Sequence, residues 1–133
     1  MQVVNFSHPL SAQNLSEIED HTRTFTDSVI NVPVDCDLNA DLREQVRAII
    51  DCMALAPDAW QVSPPVVVLP GHSAVAAVLL AELHGRMGHF PTVVRLAPVE
   101  DSTPRRFAVV ELLNLQTVRD EARRQRFDTT SSK

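Results

Sequence analysis

Short apolar runs alternate along the chain with longer amphipathic stretches. Val3–Phe6 reads as a first strand, and Pro9 stops it, because proline has no N–H for a sheet ladder and restricts the residue before it. Ser11 then stands as a cap before Leu15, Ile18, Thr22 and Phe25, which fall on one helix face. Ser28–Val34 reads as a second strand, with Pro33 marking an edge or a strand end. Asp41 precedes an amphipathic helix with Leu42, Val46, Ile49, Ile50 and Met53 on its inner face. Pro57–Gln61 reads as one helical turn, with Trp60 packing back.

The second half continues the alternation. Val66–Leu69 is a continuous apolar run, the pattern of a strand covered on both faces. Pro70 and Gly71 break it. Ser73–Met87 follows as a helix apolar on most sides, which predicts a central or interfacial place, and Gly85 and Gly88 read as its left-handed end. Thr92–Leu96 and Phe107–Leu113 pair as a hairpin about a turn at Asp101–Pro104. Asn114 caps a last helix with Leu115, Val118 and Ala122 inward and an arginine-rich outer face. Residues 128–133 read as a flexible tail.

Strands alternating with helices predict an α/β, Rossmann-like fold: a mainly parallel sheet with helices on both faces and a C-terminal β-hairpin. A chain of 133 residues fits one such domain over 1–127. In these sheets ligands bind beyond the carboxyl ends of the strands, near the point where strand order reverses. Asn5–Pro9 therefore falls on the face where sites form.

Composition narrows the function classes. Hydrophobic residues make up 44% and charged residues 22%, ordinary values for a globular chain. No apolar stretch is long enough to cross a bilayer, and no basic region precedes an apolar segment at the start, so a cytoplasmic protein without membrane contact is expected. Two cysteines, Cys36 and Cys52, make neither a disulfide framework nor a zinc site. The net charge of −5 is unevenly spread: residues 1–60 carry three arginines against ten acids, residues 61–133 nine bases against seven acids. This is not the broad basic face of a protein that holds long nucleic acid, but a few local donors can still hold a small anion.

Three stretches carry polar groups worth weighing. The first is Asn5, Ser7 and His8, either an ordinary turn or the mouth of a site. The second is the strand-to-helix junction at Pro70, Gly71, His72 and Ser73, where a helix start offers free N–H groups and a positive dipole end to a phosphate, or where Ser73 is simply a cap. It lacks the lysine of a Walker loop. If the first and third strands are neighbours, Ser7 and His8 face Gly71, His72 and Ser73 across a crevice, and His8 and His72 become candidates for acid–base work. The third stretch holds Arg86 and His89, which precede a strand and so belong to the opposite end of the sheet, as helix termination or as a contact with a partner subunit or a second ligand face. Arg95 lies on an apolar strand and must be paired, exposed at an edge or turned into a site. Arg105 and Arg106 read as a solvated hairpin flank. His84 and His89 are five apart with no acidic cluster beside them, which argues against a metal, and no cofactor is expected.

The segments NFSHPL at 5–10, VPV at 32–34, LLAELHGRMGHFP at 79–91 followed by VVRLAPV, and NLQTVRDEARR at 114–124 resemble one family in collinear order. It is the small stand-alone CRISPR-associated Rossmann-like proteins of type III systems, related to the CARF sensor domains. The resemblance implies a homo-oligomer, dimer or higher, that binds a cyclic oligoadenylate second messenger, with cyclic tetra-adenylate favoured. It implies that such binding damps the antiviral signal by sequestration. Asn5, Phe6, Ser7, His8, Pro70, Gly71, His72 and Ser73 are the residues expected at the ligand. Among bases, Arg23, Arg86 and Arg95 are the nearby candidates for its phosphates. Two alternatives stay open: a metal-independent ring nuclease using His8 or His72, and a protein interaction module without a ligand.

Overall fold

The computed structural model describes residues 1–53 and 55–128. Five strands form one sheet in the order β2-β1-β3-β4-β5. They are β1 (Gln2–Asn5), β2 (Ser28–Asn31), β3 (Val66–Val68), β4 (Thr92–Pro98) and β5 (Phe107–Asn114). β1 pairs in parallel with β2 and β3, β3 in parallel with β4, and β5 closes the sheet antiparallel to β4. The fold is α/β, as the alternation of patterns predicts. β2 is an edge strand, and Pro33 lies just past its end, where a missing N–H costs no ladder bond.

The helices are α1 (Ala12–Thr22), α2 (Leu42–Asp51), the short α3 (Ala59–Val62), α4 (Ser73–Met87) and α5 (Leu115–Asp128). Side chains alternate across the sheet, so each strand feeds two cores. Val4 and Val67 pack with Val46, Ile50, Leu79 and Leu83 of α2 and α4. Val3, Val66 and Val68 pack with Ile18 of α1 and with Val94 and Val109. Val3, Val4 and Val67 are fully buried, which is why β1 and β3 read as unbroken valine runs. Full burial of each such side chain contributes about 1.5–3 kcal/mol.

Caps set where the helices begin. Ser11 accepts the Asn14 N–H while Asn14 accepts the Ser11 N–H, a reciprocal capping box on α1. Asp41 accepts the Arg43 N–H at 2.9 Å to start α2, and Asn114 accepts the Thr117 N–H at 3.1 Å in α5.

Three expectations need correction. α1 stops at Thr22, because Arg23 turns left-handed at φ 55°, so Phe25 lies beyond the helix and is 84% exposed instead of packed inward. Gly85 lies inside α4, and Gly88 alone forms its left-handed end at φ 82°. α5 is held at its first turn, where the Gln116 side chain accepts the Phe90 N–H, but Val118 and Ala122 are exposed, not covered. Of the expected tail, Asp128 closes α5, and 129–133 lie outside the described residues. Among the described residues no helix is long and apolar enough to cross a membrane.

Candidate functional site at the carboxyl end of the sheet

The strand order reverses between β1 and β3. β1 runs out to α1 on one side of the sheet, while β3 runs out to α4 on the other. Their exit turns diverge and leave a crevice of about 340 Å³. Phe6, Ser7 and His8 line it from β1, Pro70, Gly71 and His72 from β3, and Asp35 and Cys36 from the chain leaving β2. The two stretches expected to face each other do so.

Asn5 builds this mouth from below. It is 1% exposed, and every hydrogen-bonding atom of its side chain is engaged. Its Nδ2 donates to the His8 carbonyl at 2.8 Å and to Asn31 Oδ1 at 3.1 Å, and its Oδ1 accepts the Ser7 N–H at 2.9 Å. One side chain thus folds the chain after β1 into a tight loop and ties it to β2. Asn5 is a positioning residue here, not an exposed ligand donor. Phe6, 2% exposed, gives the crevice an apolar wall. Ser7 and His8 are exposed at the rim, and among the described residues neither side chain is hydrogen-bonded.

The second turn differs from the expectation in its cap. His72, one residue earlier than Ser73, is the N-cap of α4, and its Nδ1 accepts the Val75 N–H in a long bond of 3.4 Å. With Nδ1 turned to the helix start, Nε2 is the ring nitrogen left for other partners. Ser73 is the first helical residue and does not line the crevice. Gly71 has no left-handed φ, and a Cβ built on it would meet nothing within 4 Å. Neither backbone strain nor packing requires glycine there, and its effect is to leave the mouth open.

Ser7 and His8 also form the wall of a larger cleft, about 730 Å³, on the other side of the β1 loop. Its origin is a mismatch in strand length. β3 meets β4 only at Thr92 and Val93, whereas β4 continues to Pro98. The free part of β4 and its partner β5 curl over α1, where Asn14 Nδ2 donates to the Phe107 carbonyl at 2.9 Å and Glu17 Oε1 accepts the Val109 N–H at 3.3 Å. Arg95, Arg105 and Arg106 line this cleft, and no acidic residue does. Arg105 and Arg106 are exposed, as expected of a solvated hairpin flank, and the sequence did not show that this flank borders a cleft. The available signal was Arg95 on an apolar strand, but only the curl of the hairpin brings the other two beside it.

The remaining candidates have internal roles. Arg86 pairs with Asp51 at 2.8 Å and Glu82 at 3.7 Å, joining the end of α4 to α2. His89 Nδ1 lies 2.9 Å from the Phe90 carbonyl, and His84 packs its ring against Phe90 at 4.4 Å. Both Arg86 and His89 lie at the amino end of β4, away from the crevice, as does Arg23 at the end of α1. Of the three bases expected near the ligand, Arg95 alone lines an opening at the carboxyl end, where it pairs with Glu111 at 2.7 Å. Cys36 is half-buried, packs against the core beside α2 and α4 and borders the crevice, while Cys52 is exposed at the end of α2. Among the described residues no three His, Cys, Asp or Glu side chains are grouped to hold a metal ion. No protein-family model matches the chain, and neither a curated protein nor a solved structure matches it.

Proposed function

We propose that the chain binds a cyclic oligoadenylate, cyclic tetra-adenylate by preference, at the mouth formed by Ser7, His8, Pro70, Gly71 and His72, and so damps type III CRISPR signalling by sequestration. The observation that carries the proposal is Gly71. It sits at the reversal of strand order, in the lining of the crevice, in a turn whose conformation does not need glycine and where a Cβ would meet open space. The His72 ring and the Ser7 hydroxyl, both in the lining, suit phosphate oxygens. Phe6 and Pro70 offer an apolar wall to a base. The resemblance carried by NFSHPL and LLAELHGRMGHFP supplies the ligand class. A symmetric ring suits a symmetric oligomer that presents the same patch more than once, so the reading includes a cytoplasmic dimer or larger assembly.

The test uses calorimetry with micromolar protein and cyclic tri-, tetra- and hexa-adenylate. The proposal expects saturable heat with the tetramer ring, lost in Gly71→Leu, whose Cβ meets no atom within 4 Å and whose fold is checked by circular dichroism. No heat from any ring refutes it.

A second reading rests on His8 and His72 sharing one crevice. As a metal-independent ring nuclease, the chain would align a ribose 2′-hydroxyl with the adjacent phosphate. The 2′-hydroxyl gives its proton to His8 as its O–P bond forms, the P–O5′ bond breaks, and the departing O5′ takes up a proton from His72 or from water, leaving a 2′,3′-cyclic phosphate. Against it, Nδ1 of His72 is committed to the helix cap, and His8, left as the base, is exposed with no side-chain hydrogen bond among the described residues to orient it. Cyclic tetra-adenylate that stays intact for hours with excess protein excludes this reading.

A further inference from the structure

The larger cleft and the crevice share the wall made by Ser7 and His8, and so open side by side. Their chemistry differs. The crevice has Asp35 in its lining and no arginine. The cleft has three arginines and no acid, although the whole chain has 17 acids against 12 bases. Only Arg95 is neutralised, by Glu111. Arg106 reaches just the Gln13 amide, at 3.5 Å, and Arg105 has no hydrogen-bond or ion-pair partner among the described residues. Two exposed guanidinium groups without an ion-pair partner among the described residues therefore stand on one rim, with Glu100 and Asp101 in the turn beyond them. Beneath them the floor is apolar, made by Val68, Leu69, Val93, Val94, Leu96 and Leu113. Phe107, half exposed at the lip, adds an aromatic face. A volume of about 730 Å³ with an apolar floor and a few converging polar groups has the character of a small-molecule site.

Guanidinium forks match phosphate oxygens, and an apolar floor beside an aromatic ring matches a purine face. We infer that this cleft is the second half of the ligand site: Arg105 and Arg106 hold phosphate, and the floor beneath them takes a base. The inference rests on the proposed ring binding and adds to it a recognition surface on the β4–β5 hairpin. A ring lying across the Ser7–His8 wall places one nucleotide in the crevice and the next in the cleft.

The test compares binding of cyclic tetra-adenylate to wild-type protein, to Arg105→Glu/Arg106→Glu, and to Arg123→Glu/Arg124→Glu. The last makes the same change in net charge on α5, outside the cleft. The expected result is at least a fivefold loss of affinity in the first variant and less than fivefold in the second. Wild-type binding with less than a fivefold loss in Arg105→Glu/Arg106→Glu, or an equal loss in both variants, overturns the inference and leaves the ring-binding reading standing. No binding by wild-type protein removes that reading and this inference with it. If the glutamate variant loses its folded circular dichroism spectrum, Arg105→Gln/Arg106→Gln is measured against the same fivefold criterion.

Discussion

Replacing Asn5 separates a positioning residue from a ligand contact. Asn5→Ala removes three hydrogen bonds. The bond to Asn31 runs to an exposed side chain that water can serve, so its loss costs little. The bonds to the His8 carbonyl and the Ser7 N–H hold the loop itself, in part-buried positions. Each contributes about 0.5–1.5 kcal/mol net, and a group left without a partner costs more. The expected loss is about 2–3 kcal/mol, a large share of the roughly 5–15 kcal/mol typical of a domain. With an unfolding entropy of about 2.1 cal/mol/K per residue over 133 residues, Tm falls by about 7–11 °C. Asn5→Asp is worse near neutral pH, because the introduced carboxylate would face the His8 carbonyl and Asn31 Oδ1 with no proton to donate. Its charged form is disfavoured in the folded state, so its pKa there is raised above the unfolded value. The folded state then binds more protons, and the variant gains stability as pH falls through that raised pKa. Thermal melts of both variants across pH, with ring binding on the same samples, are the assay. Unchanged Tm with lost binding in Asn5→Ala would refute the reasoning and return Asn5 to the ligand.

Three further predictions concern the scaffold. Gly85→Ala places a methyl group in open space inside α4 and stabilises the protein by about 1 kcal/mol, visible as a higher urea midpoint; destabilisation would mean that the face is already covered. Ser11→Ala breaks the capping box and costs about 1 kcal/mol in the same titration, with the loss of α1 order registering beside the arginine cleft. Asp41 is held below its ordinary pKa of 3.8 chiefly by the side-chain hydrogen bond from Arg43, then by the Arg43 backbone N–H. Its contribution is present above pH 3.8 and is lost as pH falls through the lower folded value; Asp41→Asn, which keeps a capping oxygen, flattens that part of the acid titration.

The sheet was legible where burial on both faces left its mark. The valine run at 66–69 and the apolar surface of 73–87 placed β3 and α4 almost to the residue, because no other element tolerates such continuous apolar pattern. The first turn was legible as a site position but not in its division of labour. Asn5 reads the same whether its amide meets a ligand or its own backbone, and only the geometry of the loop separates the two. His72 was passed over as a cap in favour of Ser73, since histidine is not among the favoured N-cap residues. Phe25 was drawn into α1 by its spacing, while a left-handed arginine, with no glycine to announce it, ended the helix first. The arginine cleft was out of reach for another reason. It depends on β4 outrunning β3 and on Asn14 and Glu17 pulling β5 over α1, which are tertiary events between residues about ninety positions apart.

On the proposed reading, the carboxyl end of the sheet receives a cyclic oligoadenylate. The most direct measurement is one incubation of labelled cyclic tetra-adenylate with wild-type protein and with Gly71→Leu, read on a native gel and by denaturing chromatography. The expected result is a shifted band with intact ring for wild-type protein and no shift for Gly71→Leu at equal folding. An equal shift in both, or none with wild-type protein, would contradict it.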